Sequence, residues 1–379
     1  MKKKLLFVND EMCMGGVSKV LINLFNNIDK DKYEIDLLVL HPHGEMINKI
    51  PNFINVIKGT SFFDVCDIPV KECFKHGKFL KKLTFYNKLK SGSIIEDIKK
   101  EREKMSLEKY DVEIAFKEGI CSVFTSCSNA NTKINWIHAD YGVKNYAANY
   151  MNTMKKILKK FDYHVAVSNV AAESFKDIFE LNEVKTIHNI IDTDKIINNA
   201  DEKVSFRDDI FSFVCVGRLH PQKGYDRLLE VCDSLNRQGN KYKIYILGDG
   251  EEKNNLIKLK EEKMLNNVFF LGNKDNPYPY IKQADCLLLC SIYEGLPTVV
   301  YESLILHTPV LTTRVAGVDE QLKDKYGLIV ENDAEHLRKG MLNFICDKAI
   351  LNDYKKNLFN YEYDNEKILN EIYTLFDKR

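Results

Sequence analysis

Phe211-Ser212-Phe213-Val214-Cys215-Val216-Gly217, followed directly by Arg218-Leu219-His220-Pro221-Gln222-Lys223-Gly224-Tyr225, is the stretch on which the fold turns. The apolar run has strand length and is rich in aromatic and β-branched residues, and the Pro and Gly after it signal a turn before a helix that starts near Tyr225. A short run that is apolar on both of its faces reads as a strand buried on both sides, as in a parallel sheet covered by crossover helices.

The same alternation extends outward in both directions. Downstream lie Lys243–Leu247, Val268–Leu271, Cys286–Ser291, Val310–Thr313 and Leu328–Val330, and upstream Leu5–Asn9, Ile35–Leu40, Val112–Phe116, Ile134–His138, His164–Ser168 and Lys185–Asn189, with helical patterns between them. The polar stretch from Ile190 to Asp209 has no strand-like run and separates the two series. The prediction is an α/β chain of two doubly wound, Rossmann-like domains facing across a cleft. Its parts are a first domain over 1–190, a linker over 191–209, a second domain over 210–353, and a helix over 354–379 packing back on the first domain. In such sheets ligands bind beyond the carboxyl ends of the strands, so the residues just after each run come first for chemistry.

The 379 residues, 45% apolar and 29% charged, are those of ordinary globular protein, and 55 basic side chains balance 55 acidic ones. No global field points to nucleic acid. Ten cysteines are scattered, several inside apolar runs such as Cys286-Leu287-Leu288-Leu289-Cys290, and read as reduced core residues of a cytoplasmic protein. No Cys/His spacing suggests zinc. Nor is any apolar run long enough to span a bilayer.

Three motifs carry chemistry. Met14-Gly15-Gly16-Val17-Ser18 follows the first strand and opens an amphipathic helix, where backbone N–H groups and the helix dipole favour an anion; a plain strand-to-helix turn is the other reading. Arg218 and Lys223 supply a planar fork and a point charge after the strand Phe211–Gly217, suited to a diphosphate. After Cys286–Ser291 comes Glu294-Gly295-Leu296-Pro297-Thr298-Val299-Val300-Tyr301-Glu302, with Glu294 in a loop and Glu302 inside a helix whose N-terminus lies near Thr298.

Glu294 and Glu302 in an E-x7-E pattern, Gly-Arg-Leu-x3-Lys-Gly over 217–224 and the N-terminal Gly-Gly-Val together resemble the retaining GT-B glycosyltransferases of family four. The resemblance implies roles position by position. Arg218 and Lys223 would bind and stabilise the departing diphosphate of a nucleotide sugar, with no metal or other cofactor. Glu302 would hold the ribose and Glu294 would sit near the transferred sugar. Gly15, Gly16, Gly295, Leu296, Pro297 and Thr298 would add backbone contacts to the donor, and His138, in Trp136-Ile137-His138-Ala139-Asp140, would meet the donor sugar. Gly317 and Glu320 resemble a further element near the sugar.

Two positions depart from the family pattern: Ser303 stands where alanine is usual and His307 where glycine is usual. Asp192-Thr193-Asp194 mimics a manganese-binding Asp-x-Asp, but two carboxylates make a poor cage.

Lys71, Lys75, Lys78, Lys81, Lys82, Lys88 and Lys90, interleaved with Phe74, Phe79, Phe85 and Tyr86, read as an interfacial helix on an anionic inner membrane face. The competing reading is a solvated helix whose aromatic side packs on the core. The function expected is transfer from a nucleotide sugar, with uridine diphosphate as its carrier, to a hydroxyl of a surface or lipid-linked glycan with retention. The rivals are a sugar-nucleotide epimerase of the same architecture and a non-catalytic nucleotide-sugar-binding subunit.

Overall fold

The structure, a computed structural model, describes residues 2–66, 77, 79–143, 151–204 and 209–377. It divides into two compact units, Met1–Ile190 with Asn365–Arg379, and Ile191–Asp364.

In the first unit seven parallel strands, β1 (Lys3–Asn9), β2 (Tyr33–Val39), β3 (Asn55–Lys58), β4 (Val112–Ala115), β5 (Thr132–Ile137), β6 (Tyr163–Ala166) and β7 (Lys185–Thr186), run in the order β3-β2-β1-β4-β5-β6-β7. Leu5, Leu6, Phe7 and Val8 are wholly buried, as expected for a central strand covered on both faces. β3 is a strand that the apolar runs do not announce: Asn55-Val56-Ile57-Lys58 lies at the sheet edge, half exposed, where a polar sequence suffices.

The helix Gly16–Asn27 crosses from β1 to β2 and buries Val20, Leu21, Leu24 and Phe25. Phe7 meets Phe25 edge-on at 5.1 Å and Phe376 of the helix Asn365–Asp377 at 6.2 Å. That last helix is fastened by Lys3 Nζ donating to the Phe376 carbonyl at 2.6 Å and by the Asp29 N–H donating to Tyr373 Oη at 2.9 Å.

The second unit holds β8 (Ser212–Val216), β9 (Lys243–Leu247), β10 (Val268–Gly272), β11 (Cys286–Leu289), β12 (Val310–Thr313) and β13 (Gly327–Val330), all parallel, in the order β10-β9-β8-β11-β12-β13. Phe213, Leu228, Ile246, Leu288, Leu311 and Phe344 share its core. Cys286 and Cys290 are buried there as free thiols, and burial pushes the Cys290 thiol up to about 12, so both act as small apolar fillers.

Two boundaries differ from expectation. The stretch read as a linker over 191–209 contributes a helix, Thr193–Asn198, to the second unit; Ile196 is buried, and Asn276 Nδ2 donates to the Asn199 carbonyl at 2.8 Å. With one buried apolar position in six residues, that helix has too little periodicity to be read from sequence. Asp192 caps it by accepting from the Lys195 N–H at 3.1 Å, which gives the Asp-x-Asp mimic an ordinary structural role.

The C-terminal stretch is not one helix from 354. Lys348–Leu358 belongs to the second unit and Asn365–Asp377 to the first. Between them Tyr361 and Tyr363 are held in the second unit on Tyr326 and Tyr301, with ring centroids at 5.0 and 4.7 Å. These rings anchor the crossing chain, so the boundary falls after Asp364.

Each sheet reverses its strand order once, at β1/β4 and at β8/β11. Chain leaving the carboxyl ends of two such strands diverges to opposite faces and opens a crevice. Among the described residues no helix is long and apolar enough to cross a membrane.

Candidate functional site

At the β8/β11 reversal the loops after the two strands bring together residues 71 apart in sequence. Lys223 Nζ lies 2.6 Å from Glu294 Oε1, with side chains 20% and 11% exposed. Ser291 donates its hydroxyl to the same carboxylate oxygen at 2.7 Å. The β8 loop reaches this point through a tight turn, Pro221–Lys223, capped by His220, whose Nδ1 accepts from the Gln222 N–H at 3.1 Å. Gln222 then crosses to the β11 loop, donating to the Tyr293 carbonyl at 2.8 Å.

Gly224 makes the approach possible. Its φ is +64°, and a Cβ there would sit 2.4 Å from the Cys290 carbonyl oxygen. Only glycine lets the turn both enter the left-handed region and lie against the end of β11.

Arg218 stands at the same strand end but is held loosely. It pairs with Glu251 at 3.2 Å while 68% exposed, a pair that contributes little in water. Pro297 precedes the helix Thr298–Ile305, as the turn chemistry predicts, and Gln321 Nε2 fastens its carbonyl at 3.0 Å. Glu302 lies inside that helix with 3% exposure. Gly317, at φ +84°, comes so close to Leu296 that a Cβ would meet its side chain at 2.6 Å, which packs the Gly295–Leu296 loop against the helix Val318–Leu322.

The two departures from the family pattern acquire local explanations. The Ser303 hydroxyl donates to the Thr308 carbonyl at 2.8 Å within the core, and His307 adopts φ +57°, a conformation in which glycine carries no Cβ penalty.

In the first unit, Gly15 is extended at φ 178° and caps the helix Gly16–Asn27. Among the described residues, a Cβ on Gly15 or Gly16 would meet nothing within 4 Å. Neither packing nor a positive φ requires glycine there, so the plain tight-turn reading gives no reason for the pair. At the β1/β4 reversal Lys117 pairs with Asp10.

His138 follows β5, its ring 4.9 Å from that of Phe116 and its backbone N–H donating to Glu118 Oε2 at 3.0 Å. Burial pushes its imidazole down to about 3, opposed by a backbone hydrogen bond at Phe116. The residue as a whole is only half-buried, but Nε2 is out of contact with solvent and has no hydrogen-bond partner among the described residues, and the ring nitrogens decide the titration. His138 is therefore neutral at ordinary pH. It belongs with Gly15 and Gly16 to the first unit, whereas Arg218, Lys223, Glu294 and Glu302 belong to the second.

Of the basic and aromatic segment, Lys71, Glu72, Phe74, Lys75 and Lys78 lie outside the described residues. In the helix Phe79–Ser91 the aromatic side faces inward: Phe85 is buried against Phe62 at 5.6 Å, Lys82 is buried over the Tyr86 ring at 5.2 Å, and Lys88 pairs with Asp97 at 2.7 Å. The large apolar side chains it exposes are Leu80 and Leu83.

Sequence reasoning missed Ser291, Gln222 and Glu251, whose positions just past β8, β9 and β11 were the available signal. It also missed a grouping of Glu11, Cys13 and His43, split across two loops.

Residues 197–360 match the family described as glycosyl transferases group 1. An uncharacterized glycosyltransferase of Methanocaldococcus jannaschii is 38% identical over 141 residues, 35% of this chain and 34% of that protein. The N-acetylgalactosamine-N,N'-diacetylbacillosaminyl-diphospho-undecaprenol 4-alpha-N-acetylgalactosaminyltransferase of Campylobacter jejuni is 31% identical over 173 residues, 45% of this chain and 46% of that protein. The matches thus span from a third to about half the length of these curated relatives.

A crystal structure of a TarM mutant of S. aureus, in complex with Fondaparinux, alpha-GlcNAc-glycerol and UDP, superposes with a TM-score of 0.74 at 15% identity, covering 99% of this chain and 100% of that one. The likeness is one of fold, two parallel-sheet units. The second unit thus carries a segment that matches the glycosyl transferases group 1, and the chain has the GT-B fold.

Proposed function

We propose that this protein transfers a glycosyl unit from a uridine diphosphate sugar to a hydroxyl of a lipid-linked or surface glycan, with retention of anomeric configuration and without a metal. The observation that carries the reading is the Lys223–Glu294 contact at the β8/β11 reversal, where a cation and a carboxylate converge at 2.6 Å. The Campylobacter relative, named for an undecaprenol-diphosphate acceptor, and the UDP in the S. aureus structure support the acceptor and donor classes.

In this mechanism Lys223 and the exposed guanidinium of Arg218 stabilise charge that grows on the diphosphate as the bond from the anomeric carbon to phosphate oxygen breaks. The acceptor oxygen bonds the anomeric carbon on the same face, its proton passing to the departing phosphate oxygen, so that uridine diphosphate leaves. Glu294, oriented by Ser291 and Lys223, faces the sugar and stabilises positive charge at its ring. Glu302 holds the ribose. His138 stays neutral and meets the donor sugar, and Gly15 and Gly16 admit the donor to the backbone. Peripheral attachment to an anionic inner membrane face completes the proposal, with Leu80 and Leu83 as the apolar contact in place of the inward-facing aromatics.

The test is product analysis by NMR with a panel of nucleotide sugars, a lipid-diphosphate glycan acceptor and a chelator. An axial-to-axial or equatorial-to-equatorial product that forms in the presence of chelator is expected. Inversion, loss of activity with chelator, or an epimer formed from donor alone would overturn it. Flotation with anionic vesicles tests the membrane contact; binding unchanged in a Leu80→Ser/Leu83→Ser variant counts against it.

A further inference from the structure

In the first unit the loops that leave β1 and β2 run side by side. The Leu40 N–H donates to the Asn9 carbonyl at 2.9 Å, the His41 N–H to that of Asp10 at 2.8 Å, the Met12 N–H to that of His43 at 2.8 Å and the Met46 N–H to that of Met12 at 2.9 Å. Gly44 permits this pairing: at φ +113° its Cβ would lie 2.2 Å from the Met12 carbonyl group. The backbone at Cys13 and His43 is therefore fixed by contacts that owe nothing to either side chain.

On this scaffold a carboxylate oxygen of Glu11, the Cys13 sulfur and a ring nitrogen of His43 all fall within 4.8 Å of one another. Cys13 Sγ and His43 Nδ1 are 3.3 Å apart. A tetrahedral zinc ion with its usual bond lengths holds sulfur and nitrogen ligands roughly 3.5 Å apart. The observed separation is thus close to that of two ligands on one ion.

The surroundings fit a cation. Glu45 lies beside the thiol and accepts from the Met14 N–H at 2.9 Å. The Glu11 backbone is held from both sides, its N–H donating to Asp10 Oδ1 at 2.8 Å and its carbonyl accepting from Asn9 Nδ2 at 2.6 Å. The His41 ring stacks on that of His43 at 5.5 Å and limits its rotation.

We propose that Glu11, Cys13 and His43 form a site for a thiophilic divalent cation, of which zinc(II) is the best match. Sulfur, imidazole and carboxylate together select zinc over magnesium or calcium, which prefer oxygen alone. On binding, a metal–sulfur bond forms, the Cys13 S–H bond breaks and its proton goes to solvent, with no change of oxidation state. Three protein ligands leave a fourth position for water. Bound there, the ion would tie the β1 and β2 loops together. The site stands independently of the glycosyl-transfer reading.

Titration of the full chain with zinc against a chromophoric competitor tests it. One tightly bound equivalent is expected, weakened at least ~100-fold in Cys13→Ala and in His43→Ala, since even loss of a group that only orients a ligand costs 10–100-fold. Cys346→Ala, an exposed cysteine in the other unit, should bind as the parent does. Cobalt(II) loading should give a thiolate charge-transfer band that Cys13→Ala lacks. Should Cys13→Ala fail to fold by circular dichroism, the exposed His43 position carries the test. Absence of stoichiometric zinc, or affinity unchanged in His43→Ala, would overturn the proposal.

Discussion

Replacing Lys223 with methionine keeps most of the length of the side chain and removes the charge that faces Glu294. Among the described residues Glu294 would retain the Ser291 hydroxyl at 2.7 Å as its side-chain hydrogen bond, with the carboxylate 11% exposed. Stripping one partner from a buried ion pair costs about 3–5 kcal/mol, because the other charge stays desolvated. The residual exposure of both groups admits some water, so about 3 kcal/mol is the expected loss. For a unit of this size that lowers the midpoint of thermal unfolding by roughly 6–12 °C.

The double variant Lys223→Met/Glu294→Gln removes both charges and should recover most of the loss. Unfolding in urea of the parent, both single variants and the double variant closes the cycle. A cost below about 0.5 kcal/mol for Lys223→Met would put the pair in the class of solvated surface contacts. A double variant no more stable than Lys223→Met would show the two groups uncoupled. Either result refutes the reasoning. Under the proposed mechanism Lys223→Met also loses about 100- to 1,000-fold in kcat, the scale of removing one group that stabilises developing charge.

Gly224→Ala should cost more than about 2 kcal/mol, since the left-handed penalty of ~1–2 kcal/mol adds to a clash with the Cys290 carbonyl at 2.4 Å. Gly15→Ala, where a Cβ meets nothing within 4 Å, should leave stability within about 0.5 kcal/mol while weakening donor binding by calorimetry; undiminished binding would remove Gly15 from the site. Phe376→Ala should destabilise the first unit by about 3–5 kcal/mol, read by urea unfolding, because the ring is wholly buried between Phe7 and Tyr33. His138 and His164 are pushed by burial down to about 3 and about 4. The unfolded chain binds their protons near the ordinary value of about 6.5 while the fold holds both neutral. Stability therefore falls as pH drops below about 6.5, by up to ~1.4 kcal/mol per unit for each histidine, and levels off near the folded values. His138→Gln should make that slope shallower between pH 6 and 4, and an unchanged slope would count against its burial.

The doubly wound architecture was legible because central parallel strands must be apolar on both faces, and such runs stand out from their polar flanks. Among the described residues twelve of the thirteen strands coincide with apolar runs, and the one that does not, β3, is an edge strand with only partial burial. Boundaries were harder. Ile196 alone anchors the helix Thr193–Asn198, and the chain between Leu358 and Asn365 is placed by two tyrosines whose partners, Tyr301 and Tyr326, lie far off in sequence. Patterns of period two or 3.6 carry no record of such contacts.

The same distinction governs the sites. Lys223 and Glu294 each lie in the loop that follows an apolar run, so the rule that chemistry gathers beyond strand carboxyl ends reaches both without knowing that β8 and β11 are neighbours. Their 2.6 Å contact then follows from sheet order, which sequence spacing does not encode. Glu11, Cys13 and His43 obey the same rule, following β1 and β2, yet Cys13 and His43 are 30 residues apart and lack the short spacing by which metal ligands are recognised in a chain. What joins them is the adjacency of two parallel strands and a glycine at φ +113° that lets one loop lie on the other. For a sheet of known order, scanning the loops of neighbouring strands for complementary donor sets would have found both clusters, whereas scanning along the chain finds the residues of only one.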